Sequence, residues 1–313
     1  MNEDYPRALM ELEKRFSSEE PCRAYLFSLR WPDGWICPRC GGRQSLQIRR
    51  GLWRCNGCRH ETSVTAGTVF QDSHLPLRSW FLAMWHVTSQ KNGVSALGLQ
   101  RVLGLGSYKT AWAMLHKLRR AMVRPGRDRL RGLVEVDETY WGTKESGVIG
   151  RLTEDKALII VAAEQDGRGI GRIRLRHIGD LTKARLHGFI GEAVEPGSIV
   201  RTDGLNAYLG LQGYVHERQI QRHQTEGEHL LPRVHRVVSL LKRWLLGTHQ
   251  GAIGHNHLEY YLDEFTFRFN RRTSRHRGKL FYRLVQQAVA VEPQPYKTLV
   301  RHARGRRPEK HNP

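Results

Sequence analysis

Four cysteines, Cys37, Cys40, Cys55 and Cys58, fall in the pattern C-x2-C-x14-C-x2-C. Each C-x2-C knuckle lets two thiolates reach one ion, and two knuckles complete a tetrahedron, the ligand set of structural zinc. Gly41, Gly42 and Gly57 suit the tight turns beneath such a metal. All four positions are protein ligands, so the expected Zn²⁺ is structural and not catalytic. A redox pair or metal-free thiols are the alternatives. Cys22 stands apart and reads as core.

Carboxylates form the second group. In "VEVDETYWG" the period of a strand puts Glu135 and Asp137 on one face, with Val134 and Val136 on the other. In "SIVRTDG", Asp203 ends a short apolar strand. A charge inside a strand is costly unless it is paired or bound to a metal. Two such carboxylates can converge on Mg²⁺, which prefers oxygen ligands and also binds phosphate. The plainer reading leaves Asp203 as the cap of a turn and Asp137 as the end of a strand. The third group is "PRVHRVVSLLKRW" (232–244), where Val234, Val237, Val238 and Leu241 recur at helical spacing. His235, Ser239 and Lys242 lie along one flank of that helix, either as an ordinary surface line or as part of a site.

These groups need elements to hold them. Helical patterning covers residues 1–30, with Leu9, Leu12 and Phe16 on one face, and returns from about Leu77 to Met122. Within 95–122 two helices meet at "GLGSY", where Gly106 can end one and Ser107 can cap the next. That is helix-turn-helix spacing, with Lys109, Trp112, His116, Lys117 and Arg119 on the second helix, the one that can lie in a major groove. An ordinary helical hairpin has the same pattern. "RPGRDRLRG" (124–132) reads as a linker. Strand patterns then follow at "GLVEVDETYWG", "KALIIVAAEQ" and "GRGIGRIRLRHI", a helix at "LTKARLHGFIGEAV", a strand at "GSIVRTDG", and helices over 233–246 and 256–270. Strands followed by helices that pack on them imply an α/β or α+β core.

The chain of 313 residues carries a net charge of +21. Such an excess speaks to partners, and nucleic acid is the natural polyanion. Arg39, Arg43, Arg49, Arg50 and Arg54 surround the cysteines, so the ribbon suits DNA, with a protein partner as the alternative. No apolar run approaches the roughly 20 residues of a membrane span. The acidic, amphipathic start "MNEDYPRALMELEKRF" is unlike a signal peptide, so a soluble, intracellular chain with reduced thiols is expected.

The blocks "CPRCGG…WRCNGC…TSVTAGTVF…LPLRSWFLAMW", "VSALGLQRVLGLGSYKTAWAMLHKLRRAM", "GLVEVDETYWG", "LLKRWLLGTHQG" and "HLEYYLDEFTFRFNRR" occur in this order over roughly residues 20–285. Together they resemble the zinc-ribbon DDE transposases of bacterial insertion sequences, the group with the ISXO-type domain. The resemblance implies a multidomain chain: a zinc ribbon and helix-turn-helix, then an α/β ribonuclease-H-like catalytic core. The segments would be an N-terminal helical piece (1–30), the ribbon (31–70), the helix-turn-helix region (71–123), the linker (124–132), the catalytic domain (133–285) and a basic, unstructured tail (286–313).

The same resemblance assigns roles. Asp137 and Asp203 match the first two catalytic acids of a two-metal site, binding Mg²⁺ or Mn²⁺. The third family position, commonly Glu or Asn, lies seven residues before a Lys, which places His235 there and makes Lys242 a phosphate contact. Imidazole is a poor ligand for Mg²⁺. His235 therefore serves with Mn²⁺, or shuttles a proton, or marks an inactive copy. Glu135 and Glu138 could supply a missing carboxylate, with Glu259 and Glu264 as rivals. Arg268, Arg271 and Arg272, in "FRFNRRTSRHRG", would track phosphates. The activity implied is DNA cleavage and strand transfer at terminal inverted repeats, by a dimer or larger assembly acting in the bacterial cytoplasm at the nucleoid. A non-enzymatic DNA-binding regulator and a nuclease that cuts without joining are the rival readings.

Overall fold

The computed structural model describes residues 3–49, 51–124, 126–142, 156–220 and 230–304. Arg50, Pro125 and the end of the tail (305–313) lie outside the described residues. The chain begins with α1 (Leu9–Arg15) and α2 (Glu19–Arg30), then β1 (Ser45–Arg49), β2 (Leu52–Cys55) and β3 (Glu61–Ser63). Helices α3 (Leu77–Ser89), α4 (Ala96–Leu103) and α5 (Tyr108–Ala121) follow. Next come β4 (Leu133–Trp141), β5 (Ala157–Asp166), β6 (Gly169–Ile178), α6 (Lys183–Ala193), β7 (Ile199–Thr202) and β8 (Val215–Arg218). The last helices are α7 (Pro232–His249), α8 (Leu258–Phe269), α9 (Arg277–Ala288) and α10 (Tyr296–Arg304).

The described residues divide into two compact units. One runs up to Arg124 and resumes at Thr273, and the other is the stretch between, ending at Arg272. In the first unit, β1, β2 and β3 form an antiparallel sheet that carries the cysteine knuckles. α3 is apolar around most of its girth, with Trp80, Phe81, Ala83, Met84 and Val87 all buried, so it takes the centre of this unit. Phe16, Tyr25, Phe81 and Phe281 pack there in edge and stacked contacts. Glu19 accepts both Leu77 N–H and Arg78 N–H at 3.0 Å, capping α3 from α2.

Sequence and structure differ at five places in these segments. The N-terminal helical pattern is broken into α1 and α2, with Ser18 in extended backbone before α2. α4 ends at Gly104, which takes the left-handed conformation (φ 62°), and not at Gly106. Ser107 does cap α5, accepting from Lys109 N–H. The expected linker is tied down: Leu130 is fully buried and exchanges backbone hydrogen bonds with Ala193 and Glu195. Residues 273–288, read as the end of the catalytic domain and the start of a tail, belong to the first unit, because the apolar face of α9 (Leu280, Phe281, Leu284, Val285) is buried there. The tail also keeps order further on, as α10 with Leu299 buried.

The second unit is built on a five-stranded mixed sheet in the order β6-β5-β4-β7-β8. β6, β5 and β4 are antiparallel neighbours, while β7 pairs parallel with β4 and β8 parallel with β7. β5 is buried from Ala157 to Glu164, as a central strand covered on both faces requires. α6 packs on one face through Leu186, Phe189 and Ile190. α7 and α8 pack on the other through Val234, Val237, Leu241, Leu262 and Phe265.

Candidate active site

The register of the sheet brings the two aspartates together. β4 and β7 run parallel, and their last pair is Glu135 opposite Arg201. Two residues further along both strands stand Asp137 and Asp203, where β7 has ended and β4 continues. Carboxylate oxygens of Asp137, Glu138 and Asp203 all lie within 4.8 Å of one another. Asp203 accepts Leu205 N–H at 2.9 Å, which fixes its rotamer in the turn. Asp137 accepts Glu138 N–H at 2.9 Å. Burial pushes the Asp137 carboxyl above its usual range, with the Asp203 charge adding to it, while the Glu138 amide and His235 oppose the rise. Such a group takes up positive charge readily. The donor set, three acceptor-only carboxylates, fits a hard divalent cation.

Glu138 belongs to the cluster, though the reading of the sequence left its role open. Tyr208, fully buried in the turn after Asp203, donates its hydroxyl to Glu138 Oε2 at 3.0 Å. Burial, with the Glu138 charge beside it, pushes the Tyr208 phenol well up, so it remains a donor.

His235 reaches the site from α7. Its Nε2 lies 3.3 Å from Asp137 Oδ2, and its side chain is half exposed. It stands outside the group of three carboxylates. The start of α7 is held by Glu135, which is 0% exposed. Glu135 Oε2 accepts Arg233 N–H at 2.7 Å and Val234 N–H at 3.0 Å, and Oε1 accepts Arg233 Nη1 at 2.8 Å. These are the amides an N-cap side chain would serve. Leu231, at the N-cap, makes no side-chain cap, and Pro232 has no N–H to satisfy. Glu135 therefore docks α7 on β4 one residue before His235. Lys242 lies seven residues, or about 10 Å, further along α7. It is half-buried, and burial pushes its pKa down.

In the ribbon, Cys37 Sγ and Cys58 Sγ are 3.6 Å apart, as are Cys40 Sγ and Cys55 Sγ. Four sulfurs at about 2.3 Å from a zinc ion would be about 3.8 Å from each other. Burial pushes the Cys37 thiol up, but the amides of Cys40 and Arg39 and the neighbouring thiols outweigh it and bring it down to about 7. The amides of Cys58 and Gly57 lower Cys55 against burial. A Cβ on Gly42 would sit 3.4 Å from both Cys40 Sγ and Cys55 Sγ, so that position has little room for a side chain. The cluster fits a structural zinc ribbon. Cys22 is a buried thiol, pushed up to about 12 by burial.

A family model described as an ISXO2-like transposase domain matches residues 129–270, and one described as a transposase zinc-ribbon domain matches residues 17–61. Over these two stretches the chain is similar to that transposase family. A relative from Halobacterium salinarum, described as an uncharacterized protein in transposable element ISH50, is 29% identical over 285 residues, covering 82% of this chain and 92% of the relative. The crystal structure of the Mos1 strand transfer complex matches 67% of this chain and 75% of its own, at 13% identity and a TM-score of 0.27, a likeness too slight to speak for fold or function.

Several residues read as DNA contacts are occupied elsewhere in this protein. His116 is 0% exposed and its ring lies 4.1 Å from that of Trp112, itself partly buried. α5 buries Ala111, Met114, Leu115, Leu118 and Arg119 as well, so its middle and end form core. Lys117 is half-buried, and burial pulls its pKa down. Lys109, at the start of α5, is exposed. On α8, Arg268 is 13% exposed and pairs with buried Glu264 at 3.5 Å. Arg271 lies 4.0 Å over the Phe267 ring, and Arg272 lies 4.0 Å over Phe269. Arg272 also donates to the carbonyls of Gly171, Ile170 and Phe269, bracing α8 against β6. Glu259 accepts His177 N–H at 2.9 Å. Neither Glu259 nor Glu264 belongs to the carboxylate cluster. Among the described residues, no helix is long and apolar enough to cross a membrane.

Proposed function

We propose that this protein is a transposase that cuts DNA at the ends of its element and joins them to target DNA with the help of Mg²⁺ or Mn²⁺. The observation that carries this is the side-by-side placement of Asp137 and Asp203 beyond paired parallel strands, with carboxylate oxygens close enough to share a cation. Such cations activate the attacking oxygen and stabilise the leaving one in phosphoryl transfer. The order of the sheet, three antiparallel strands followed by two parallel ones, supports a ribonuclease-H-like core.

Asp137 and Asp203 would hold the cation and align the phosphodiester. His235, beside Asp137 and outside the cluster, is placed to carry a proton, which favours that role over metal ligation. Lys242 would neutralise a backbone phosphate further along α7. In the first step water attacks the phosphodiester, leaving a 3′-hydroxyl and a 5′-phosphate. In the second, that 3′-hydroxyl attacks a target phosphodiester and releases a target 3′-hydroxyl. Both are in-line displacements, so one set of positioned groups serves both. The zinc ribbon, with the exposed start of α5 around Lys109, would read the end repeats as a helix-turn-helix does. Two ends must be held together, so a dimer or larger assembly is expected.

The test incubates the protein with an element-end fragment and supercoiled target in Mg²⁺ and in Mn²⁺, beside Asp137→Asn, His235→Ala and His235→Glu. Joined products that vanish with Asp137→Asn and His235→Ala support the reading. Binding without cleavage in either metal, unchanged by Asp137→Asn, would point to a DNA-binding regulator or an inactive copy.

A further inference from the structure

Successive residues of a strand face opposite ways. Asp137 faces α7, and Glu138 starts on the α6 side, where Val136 and Tyr208 are buried. Their carboxylates nonetheless meet that of Asp203 within 4.8 Å. The sheet permits this because β7 stops at Thr202, so that among the described residues no strand pairs with β4 on that side from Asp137 onward. At an open edge, a long side chain from one face can reach the other. Tyr208 then holds Glu138 Oε2 by its buried hydroxyl, and Tyr208 itself sits five residues after Asp203. One turn thus positions two of the three carboxylates.

We propose that Glu138 is the third oxygen ligand of the cation site, with Tyr208 as its positioning residue. This rests on the reading of Asp137 and Asp203 as cation ligands. Oxygens at about 2.1 Å from an octahedral Mg²⁺ lie about 3 Å apart when adjacent and about 4.2 Å when opposite. All three pairs lie within 4.8 Å, so closing on one ion moves an opposite pair by at most about 0.6 Å and an adjacent pair by at most about 1.8 Å, within reach of side-chain rotation. Glu138 also resolves the chemistry of the helix position. Imidazole is a poor ligand for Mg²⁺, and His235 stands outside the cluster. With Glu138 as ligand, three carboxylates, two from β4 and one from the turn after β7, grip one hard ion, and α7 contributes a proton-carrying group beside it.

The test is Mn²⁺ binding by the full-length, zinc-loaded protein, followed by electron paramagnetic resonance with Mg²⁺ as competitor. The samples are wild type, Asp137→Asn, Glu138→Gln, Glu138→Asp, Tyr208→Phe and His235→Ala, with zinc content and circular dichroism as checks of folding. The expected result is binding abolished by Asp137→Asn and weakened at least tenfold by Glu138→Gln. Loss of an outer hydrogen bond to a ligand costs about 10–100-fold in metal affinity, so Tyr208→Phe should weaken binding about tenfold. His235→Ala should bind as wild type does. Wild-type affinity in Glu138→Gln, with binding lost in Asp137→Asn, would overturn the role of Glu138 and leave the aspartate reading intact. No Mn²⁺ binding by wild type, or binding indifferent to Asp137→Asn, would overturn both. If Glu138→Gln fails to fold, unchanged affinity in Tyr208→Phe and in Glu138→Asp would overturn the proposal.

Discussion

Replacing Glu135 by Gln should loosen the start of α7 and shift His235 away from Asp137. The wild-type carboxylate is fully buried and serves two helix amides and one guanidinium. A glutamine keeps the volume and one acceptor oxygen, which can still serve the amides of Arg233 and Val234. Its NH₂ group would then face Arg233 Nη1, donor against donor, and the charge pair would be gone. Breaking a buried pair by removing one partner costs about 3–5 kcal/mol. Arg233 is 16% exposed and can recover some hydration, which favours the lower end, about 3 kcal/mol. At about 2–4 °C per kcal/mol for a domain of this size, the second unit should melt roughly 6–12 °C lower. Hydrogen exchange should quicken at the Arg233 and Val234 amides while the middle of α7, anchored by Leu241, stays protected. The double variant Glu135→Gln/Arg233→Met should lose less than the sum of the single losses, as coupled partners do. Melting within about a degree of wild type, with unchanged exchange at those two amides, would refute the anchoring role.

Four further outcomes are expected. Cys40→Ser should lose the single bound zinc and the order of the ribbon, read as zinc content and as circular dichroism of the full chain, because a tetrahedral site rarely survives on three thiolates. Lys109→Ala should weaken DNA binding and reduce the slope of log K against log salt by about 1, whereas Arg272→Ala should cost about 1–2 kcal/mol of stability, having lost its carbonyl bonds and its ring contact, with little change in that slope. Glu164 is held below the ordinary value of 4.5 because Arg172 and the amides of Arg131 and Arg172 outweigh its burial. Its contribution is complete above 4.5 and lost as pH falls through the lowered value, so the stability gap between wild type and Glu164→Gln should be flat at neutral pH and close in acid; a gap that persists at low pH would refute the cause.

The sequence by itself determined the local elements and the chemistry within a few residues. The knuckle spacing defines the four-thiolate set, because ligands two residues apart need only a tight turn to meet. The apolar run of β5 and the helical stripe of α7 are legible for the same reason: periodicity is a local property. Asp137 and Asp203 stand out as charges in strand settings. Tertiary structure alone decided which of these groups meet. The parallel register of β4 and β7 sets Asp137 beside Asp203, and no local rule encodes a register between segments more than sixty residues apart. The end of β7 frees the edge that lets Glu138 join them, and Tyr208 contributes a hydroxyl from an apolar setting that reads only as core. Glu135 looks in sequence like a second site acid, since it shares a face with Asp137. Burial turns it into the cap of a distant helix. The basic residues mislead for a related reason. Charge along a sequence gives their number, but packing decides which are free to meet a phosphate: His116 is buried, Arg268 pairs with Glu264, and Arg272, though exposed, is engaged with carbonyls of its own chain.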